Sequence, residues 1–381
     1  MINPFKFGLE VSGDQFYDRT DAAEKLYRRL SGGSSNVVMY APRRYGKTSL
    51  VKKVLARFRD EKTATVYFDL NKIDSIGKFC EEYASVLCSL AGRIDGFVES
   101  VRNYLLHLHP TFSLGGDFPI SVKFDYGEKM TAQSLSSVLD LAEKVASGLA
   151  GGRIVVAFDE FQEIRRLSPD LPLEGVFRSA IQAHEHVRYV FFGSKTHMLI
   201  RMFGDKSRPF YKSASTLRLE KPPRDESVEF VRRRFAATPV IIDEKSAGLI
   251  VDTAENIPYY IQQLSSLVWE GCQIAGRDYV EETDVAGAVK ELIAENSDYY
   301  SERLSSLSIS QRLLVSALAR EPVKTFRDDY RRRHALGGSS TVNSALRQIR
   351  ESGIVECDDR AYFIGDPFFA GYVRDTAVKF N

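Results

Sequence analysis

Short unbroken apolar runs alternate with stretches of helical spacing over the first 220 residues. Val37-Val38-Met39-Tyr40, the run TATVYFDL over 63–70, the apolar part of GRIVVAFDEFQEI over 152–164, and RYVFFG over 188–193 predict strands buried on both faces. Residues 215–220 predict a fifth. Between them, residues 21–30 place Ala22, Leu26 and Leu30 on one helical face, and Phe79, Tyr83, Val86, Leu87 and Leu90 do the same further on. Residues 134–149 predict another helix. Strand and helix in alternation predict an α/β fold with a doubly wound, five-stranded parallel sheet. Within it, residues 111–114 and 120–124 flank Gly115-Gly116-Asp117, which predicts an inserted β-hairpin at about 105–130.

The pattern changes at Pro222. Asp225 is placed to cap a helix with Val228, Val231 and Phe235 inward, and three more helical stretches run to Asn296, an all-α lid. Within it, Pro258 sits where a proline starts a new helix at its first turn. From Ser297 the spacing predicts a winged helix-turn-helix. Helices over 309–319, 327–334 and 341–351 are followed by a hairpin of 354–356 and 361–364, joined by Cys357-Asp358-Asp359-Arg360. The expected domains are therefore 1–221, 222–296 and 297–381.

The first strand runs into Ala41-Pro42-Arg43-Arg44-Tyr45-Gly46 and then Lys47-Thr48-Ser49, which open a helix. Strand, loop and helix in this order form a P-loop, whose backbone N–H groups wrap phosphates while Lys47 reaches the β and γ oxygens and the Thr48 hydroxyl ligates Mg²⁺. Ala41 stands where the pattern has its first glycine. Either the loop uses a φ that alanine tolerates or the nucleotide sits less well. The run ending in Asp159-Glu160 has the Walker-B form: Asp159 for the Mg²⁺ shell, Glu160 to orient and deprotonate water. Ser194, after the next strand, has two readings, a sensor of the γ-phosphate or a helix or turn cap. Arg208, in an exposed loop stiffened by Pro209, is an arginine finger or an ordinary surface arginine. Asp69, ending the second strand, reads as structural.

Composition narrows the partners. The chain has 381 residues, 44% hydrophobic and 27% charged, with a formal net charge of +1, so any pull toward nucleic acid must come from a local patch. No run spans a bilayer and the start lacks a leader pattern, so a cytoplasmic protein without membrane contact is expected. Cys80, Cys88, Cys272 and Cys357 lack metal-type spacing and read as free thiols. On the third helix of the C-terminal segment, Ser340, Asn343, Ser344, Arg347, Gln348 and Arg350 face outward, with Arg331, Arg332 and Arg333 adding charge, an arrangement suited to duplex DNA. Against this, residues 297–381 hold 13 Lys and Arg and 11 Asp and Glu, a net of +2, so docking of a protein partner is equally open.

Taken together, these residues resemble the archaeal-type ATPases of the AAA+/STAND superclass. The likeness runs through Asn3-Pro4-Phe5, residues 16–19 ending in Arg19, residues 42–50, Phe158-Asp159-Glu160-Phe161-Gln162, residues 192–195, Arg208-Pro209-Phe210-Tyr211, Pro258 and residues 363–369. It implies a P-loop AAA+ core with helical lid and winged helix, ATP and Mg²⁺ as ligands, Arg19 and Pro258 near the adenine, and a switch or remodelling role. One departure besides Ala41 is Asn256, where the family has glycine two residues before the lid proline. Three functions follow: an ATP-hydrolysing switch, a nucleotide-gated DNA-binding regulator or origin-type protein, or a nearly silent ATPase serving as a protein-interaction hub, alone or as a homo-oligomer.

Overall fold

The computed structural model describes residues 2–8, 19–32, 35–60, 63–91, 97–114, 119–125, 130–149, 152–358 and 361–378. Phe16-Tyr17-Asp18, the loop residues Gly33 and Ser34, the hairpin turn Gly115-Gly116-Asp117 and the wing turn Asp359-Arg360 lie outside them. The described residues form two compact units. One comprises Arg19–Tyr40 and Lys47–Leu219; the other, Ala41–Gly46 with the N-terminal residues and the chain from Glu220 onward.

The first unit is built on a five-stranded parallel sheet of β1 (Asn36–Tyr40), β2 (Ala64–Asp69), β5 (Ile154–Asp159), β6 (Val187–Gly193) and β7 (Ala214–Arg218), in the order β2-β5-β6-β1-β7. The expected α/β sheet of five parallel strands is what forms. Every residue of β5 is buried, as expected of an apolar run covered on both faces by helices. The register sets Asp69 beside Asp159 and Tyr40 beside Gly193, so the ends of β1, β5 and β6 lie along one edge. Ligands of open α/β sheets bind at that edge.

Phe158 is the hub of the core. Its ring lies 6.1 Å from those of Tyr189 and Phe191, nearly parallel to both, and 5.7 Å from Phe68. Helix Ile76–Ala91 supplies Phe79 and Tyr83 to the same stack, and buries Cys80 and Cys88. The inserted hairpin is present as β3 (Pro110–Leu114) paired with β4 (Ile120–Phe124). Helix serines satisfy its outer edge: Val122 N–H donates to Ser85 Oγ at 2.8 Å and Ile120 N–H to Ser89 Oγ at 3.1 Å, which leaves less bare strand edge. The single helix expected over 134–149 is two, Ala132–Leu139 and Leu141–Gly148. Asp140 sits at the joint, where its carboxylate meets His184 Nε2 at 3.0 Å.

In the second unit, helices Arg224–Ala236, Glu244–Thr253, Pro258–Ile274 and Glu282–Glu295 precede the C-terminal winged helix. Pro223, not Asp225, occupies the cap position of the first; Asp225 lies in its opening turn, where its charge complements the helix dipole. Pro258 does start its helix, after Glu255 and Asn256 in left-handed conformation (φ 51° and 54°). Asparagine adopts that region more readily than most residues, which is how it stands in for glycine there. The winged helix consists of helices Ile309–Arg320, Asp328–Arg333 and Ser339–Glu351 and the hairpin β8 (Val355–Asp358) with β9 (Ala361–Ile364). A closing helix, Pro367–Val378, had no counterpart among the elements expected from periodicity. No helix among the described residues is long and apolar enough to cross a membrane.

Candidate functional site

Three strand ends of the sheet unit bring polar side chains together. Helix Lys47–Asp60 begins at Lys47, so Lys47, Thr48 and Ser49 form its first turn, where unpaired N–H groups and the helix dipole favour anions. Thr48 Oγ1 donates to Asp159 Oδ2 at 2.8 Å, and Tyr67 Oη donates to the same oxygen at 2.7 Å. Burial pushes the Asp159 carboxyl above the ordinary aspartate range; the hydrogen bonds from Tyr67 and Thr48 offset part of this, and the neighbouring Glu160 charge adds to it. A hydroxyl and a buried carboxylate in contact are hard oxygen donors of the kind Mg²⁺ takes alongside phosphate oxygens, so the residues present fit that ion.

Glu160 follows in left-handed conformation (φ 51°), strained for a residue with a side chain. Its carboxylate accepts from Ser194 N–H at 3.1 Å, from Ser194 Oγ at 3.0 Å and from Gln162 Nε2 at 2.5 Å. Ser194 thus lies against Glu160, and is not the N-cap of the helix that follows, which is Lys195.

The loop Ala41–Gly46 packs within the second unit. Ala41 is buried and is not among the residues with positive φ, so the backbone there is one alanine tolerates; Arg44 (φ 67°) and Gly46 (φ 83°) take the left-handed positions instead. The Arg44 guanidinium lies 4.7 and 4.6 Å from the ring centres of Tyr259 and Tyr260, and its Nη1 is 3.4 Å from Asp366 Oδ2. Tyr45 is buried with its hydroxyl 3.5 Å from Asp358 Oδ2, and burial pushes that hydroxyl far above its usual range. Arg43 lies against Gly353, where an added Cβ would meet its Nη1 at 3.0 Å and where φ is +70°. Arg43, Arg44, Tyr260 and Asp366 line a cavity of about 520 Å³ with Tyr299 and Arg303.

Other candidates fall elsewhere. Arg19 is buried at the start of helix Thr20–Ser31, its backbone left-handed and its carbonyl accepting from Ala23. Arg208 is not exposed as expected: its side chain is 20% accessible, and its guanidinium is taken up by Glu174, itself buried, at 3.1 Å. A carboxylate placed in the core requires a cation beside it, and Arg208 supplies it. Asp69 accepts from Asn71 N–H and pairs with Lys72, a local turn. On the third helix of the winged helix domain, Ser340, Asn343, Ser344, Arg347 and Gln348 are exposed. Arg331 and Arg333 are paired to Asp328 and Glu321, and Arg350 is half-buried against Tyr362. Sequence reasoning overlooked Tyr67, and quoted Gln162 and Asp366 only within motifs. Tyr67 lies two residues before Asp69 on the same strand face, and that alternation was the available signal.

Two family profiles match: an ATPase domain predominantly from Archaea, over residues 16–264, and a probable winged helix domain, over residues 298–375. Among solved structures, the chain is similar to a Walker-type ATPase of Pyrococcus abyssi, with 18% identity, a TM-score of 0.66, and coverage of 97% of this chain and 99% of that one. It is also similar to the ORC2 protein of Aeropyrum pernix, in a structure with ADPNP and ADP, at 15% identity and a TM-score of 0.53, covering 95% and 94%. No curated protein matches. At these identities the likeness speaks for the fold, a P-loop α/β core followed by a winged helix. Since the ATPase profile spans more than half of the residues, the chain belongs to the family of ATPase domains found predominantly in Archaea.

Proposed function

We propose that the protein is an ATP-binding and ATP-hydrolysing switch that couples nucleotide state to its C-terminal winged helix. The observation that carries this reading is the Thr48–Asp159 contact at 2.8 Å, directly after a lysine at a helix start. Ala41–Gly46 and the first turn with Lys47, Thr48 and Ser49 bind the phosphates, and Lys47 reaches their β and γ oxygens. Thr48 and Asp159 hold Mg²⁺, which when bound neutralises charge developing on the phosphates. Glu160 orients the attacking water and takes its proton, and Ser194 fixes the Glu160 carboxylate. Arg19 and the Pro258 helix start remain the candidates for the adenine. Coupling is supported by Arg44 and Tyr45, which bind Asp366 and Asp358 of the winged helix domain. The test is ATP binding and turnover in Lys47→Ala, which should lose one or both; wild-type turnover would remove the site assignment.

A second reading, nucleotide-gated binding of duplex DNA, is favoured by the exposed face of helix Ser339–Glu351, with Arg347 outward and Arg332 exposed nearby. The measurement is fluorescence anisotropy of a labelled duplex titrated with ATP-loaded Glu160→Gln protein and with Lys47→Ala. Tighter binding by the loaded protein supports this reading. Equal, negligible binding by both assigns the winged helix to a protein partner.

A further inference from the structure

Gln162 is 1% exposed in the short turn Phe161–Arg166, and its amide is used in one direction only. Nε2 donates to Glu160 Oε2 at 2.5 Å and approaches Glu163 Oε1 at 3.5 Å, while Oε1 has no hydrogen-bond partner. Turning the amide over would set its oxygen against two carboxylates, so the donor end is fixed by charge. The unpartnered oxygen rests against Gly193, the last residue of β6: a Cβ added there would come within 2.2 Å of Gln162 Oε1 and 3.1 Å of Glu160 Cα. Gly193 therefore leaves the space in which Gln162 reaches Glu160. Leaving a buried acceptor unpaired is unfavourable, and the arrangement offsets that by adding a donor to the one carboxylate that Ser194 already holds twice. Nearby, Lys195 at 2.7 Å and Arg166 at 3.5 Å are paired to Glu163, so Glu160 depends on Gln162 and Ser194.

We propose that Gln162, seated by Gly193, is a positioning residue for ATP hydrolysis. It holds the Glu160 carboxylate in the orientation that accepts a proton from water as the water oxygen bonds to the γ-phosphorus and the bond to the bridging oxygen breaks. This rests on the reading of Glu160 as the base. Small misplacement of a base is costly to rate.

The test measures kcat and the ATP dissociation constant for the full chain carrying Gln162→Leu, and for Gly193→Ala, which displaces Gln162 without changing its chemistry. Expected in both is a fall in kcat of about 10- to 100-fold, the usual effect of removing an outer hydrogen-bond partner, with ATP affinity kept; Gly193→Ala also lowers the melting temperature, because its Cβ must push a buried side chain aside. In a Glu160→Gln background the same changes should alter the residual rate by less than about twofold, because the group they position is gone. Unchanged kcat in both single variants, or an equal fall in the Glu160→Gln background, overturns the proposal. Should Gln162→Leu fail to fold, Gly193→Ala decides alone. Wild-type turnover by Glu160→Gln instead removes the base assignment, a result distinct from slow Glu160→Gln with normal Gln162→Leu.

Discussion

Arg44 Nη1 lies 3.4 Å from Asp366 Oδ2, and the other oxygen of Asp366 accepts the N–H groups of Phe368 and Phe369 at 3.0 and 3.1 Å. One carboxylate thus caps the closing helix Pro367–Val378 and holds an arginine of the loop that follows β1. The Arg44 charge is drawn toward Asp366 and the faces of Tyr259 and Tyr260.

Asp366→Asn separates the two tasks, since asparagine caps a helix about as well as aspartate. The expected outcome is an ATP affinity several-fold tighter by calorimetry, on the order of 1 kcal/mol for loss of a partly exposed ion pair, with the melting temperature nearly unchanged. Unaltered affinity would mean the pair plays no part in nucleotide response.

Asp159 should trade stability for function. Its folded pKa lies above its unfolded value, chiefly through burial, so as pH rises the unfolded chain gives up this proton first and the carboxylate opposes folding at neutral pH. Asp159→Asn keeps an acceptor for Thr48 and Tyr67 without the charge. It should raise the melting temperature at pH 7, with the gain shrinking as pH falls through the folded pKa, while ATP hydrolysis drops by roughly 100-fold or more. A variant melting lower at pH 7 than at acid pH relative to wild type would contradict this.

Arg208→Ala tests whether that arginine serves the fold. Removing it leaves the buried Glu174 with Arg165 at 3.5 Å as its remaining ion pair, and Glu174 Oε2 already lacks a hydrogen-bond partner. The expected loss is about 1–3 kcal/mol in denaturant unfolding, below the cost of breaking a fully buried pair because Arg208 is one-fifth accessible. The folded fraction should keep its kcat. Intact stability with a collapsed kcat would restore the finger.

The elements were legible where burial is uniform. The runs that became β1, β5 and β6 are apolar because helices cover both faces, and the P-loop and Walker-B residues follow those strands directly. What could not be read depends on residues far apart in the chain. Arg208 and Glu174 are 34 positions apart, and so are Ser194 and Glu160; Tyr67 reaches Asp159 across 92. The left-handed backbone at Glu160 carries no signal in a residue with a side chain, and Ala41 resolved itself only because the φ > 0 positions moved to Arg44 and Gly46.

For the winged helix, the ion pairs divide the arginines. Arg347 is exposed, whereas Arg331 and Arg333 already face carboxylates. On the DNA-binding reading, Arg347→Ala should lower the slope of log affinity against log salt by about 1, and Arg333→Ala by less. Equal slopes for wild type and Arg347→Ala would exclude that helix face from phosphate contact.

The central claim is that Lys47, Thr48, Asp159 and Glu160 bind and hydrolyse Mg·ATP. Single-turnover hydrolysis of radiolabelled ATP by Glu160→Gln, with ATP binding measured on the same sample, tests it most directly. The account predicts ATP affinity within about threefold of wild type and hydrolysis slower by on the order of 100-fold or more, the loss expected when a positioned base is removed. Wild-type hydrolysis by Glu160→Gln would contradict it.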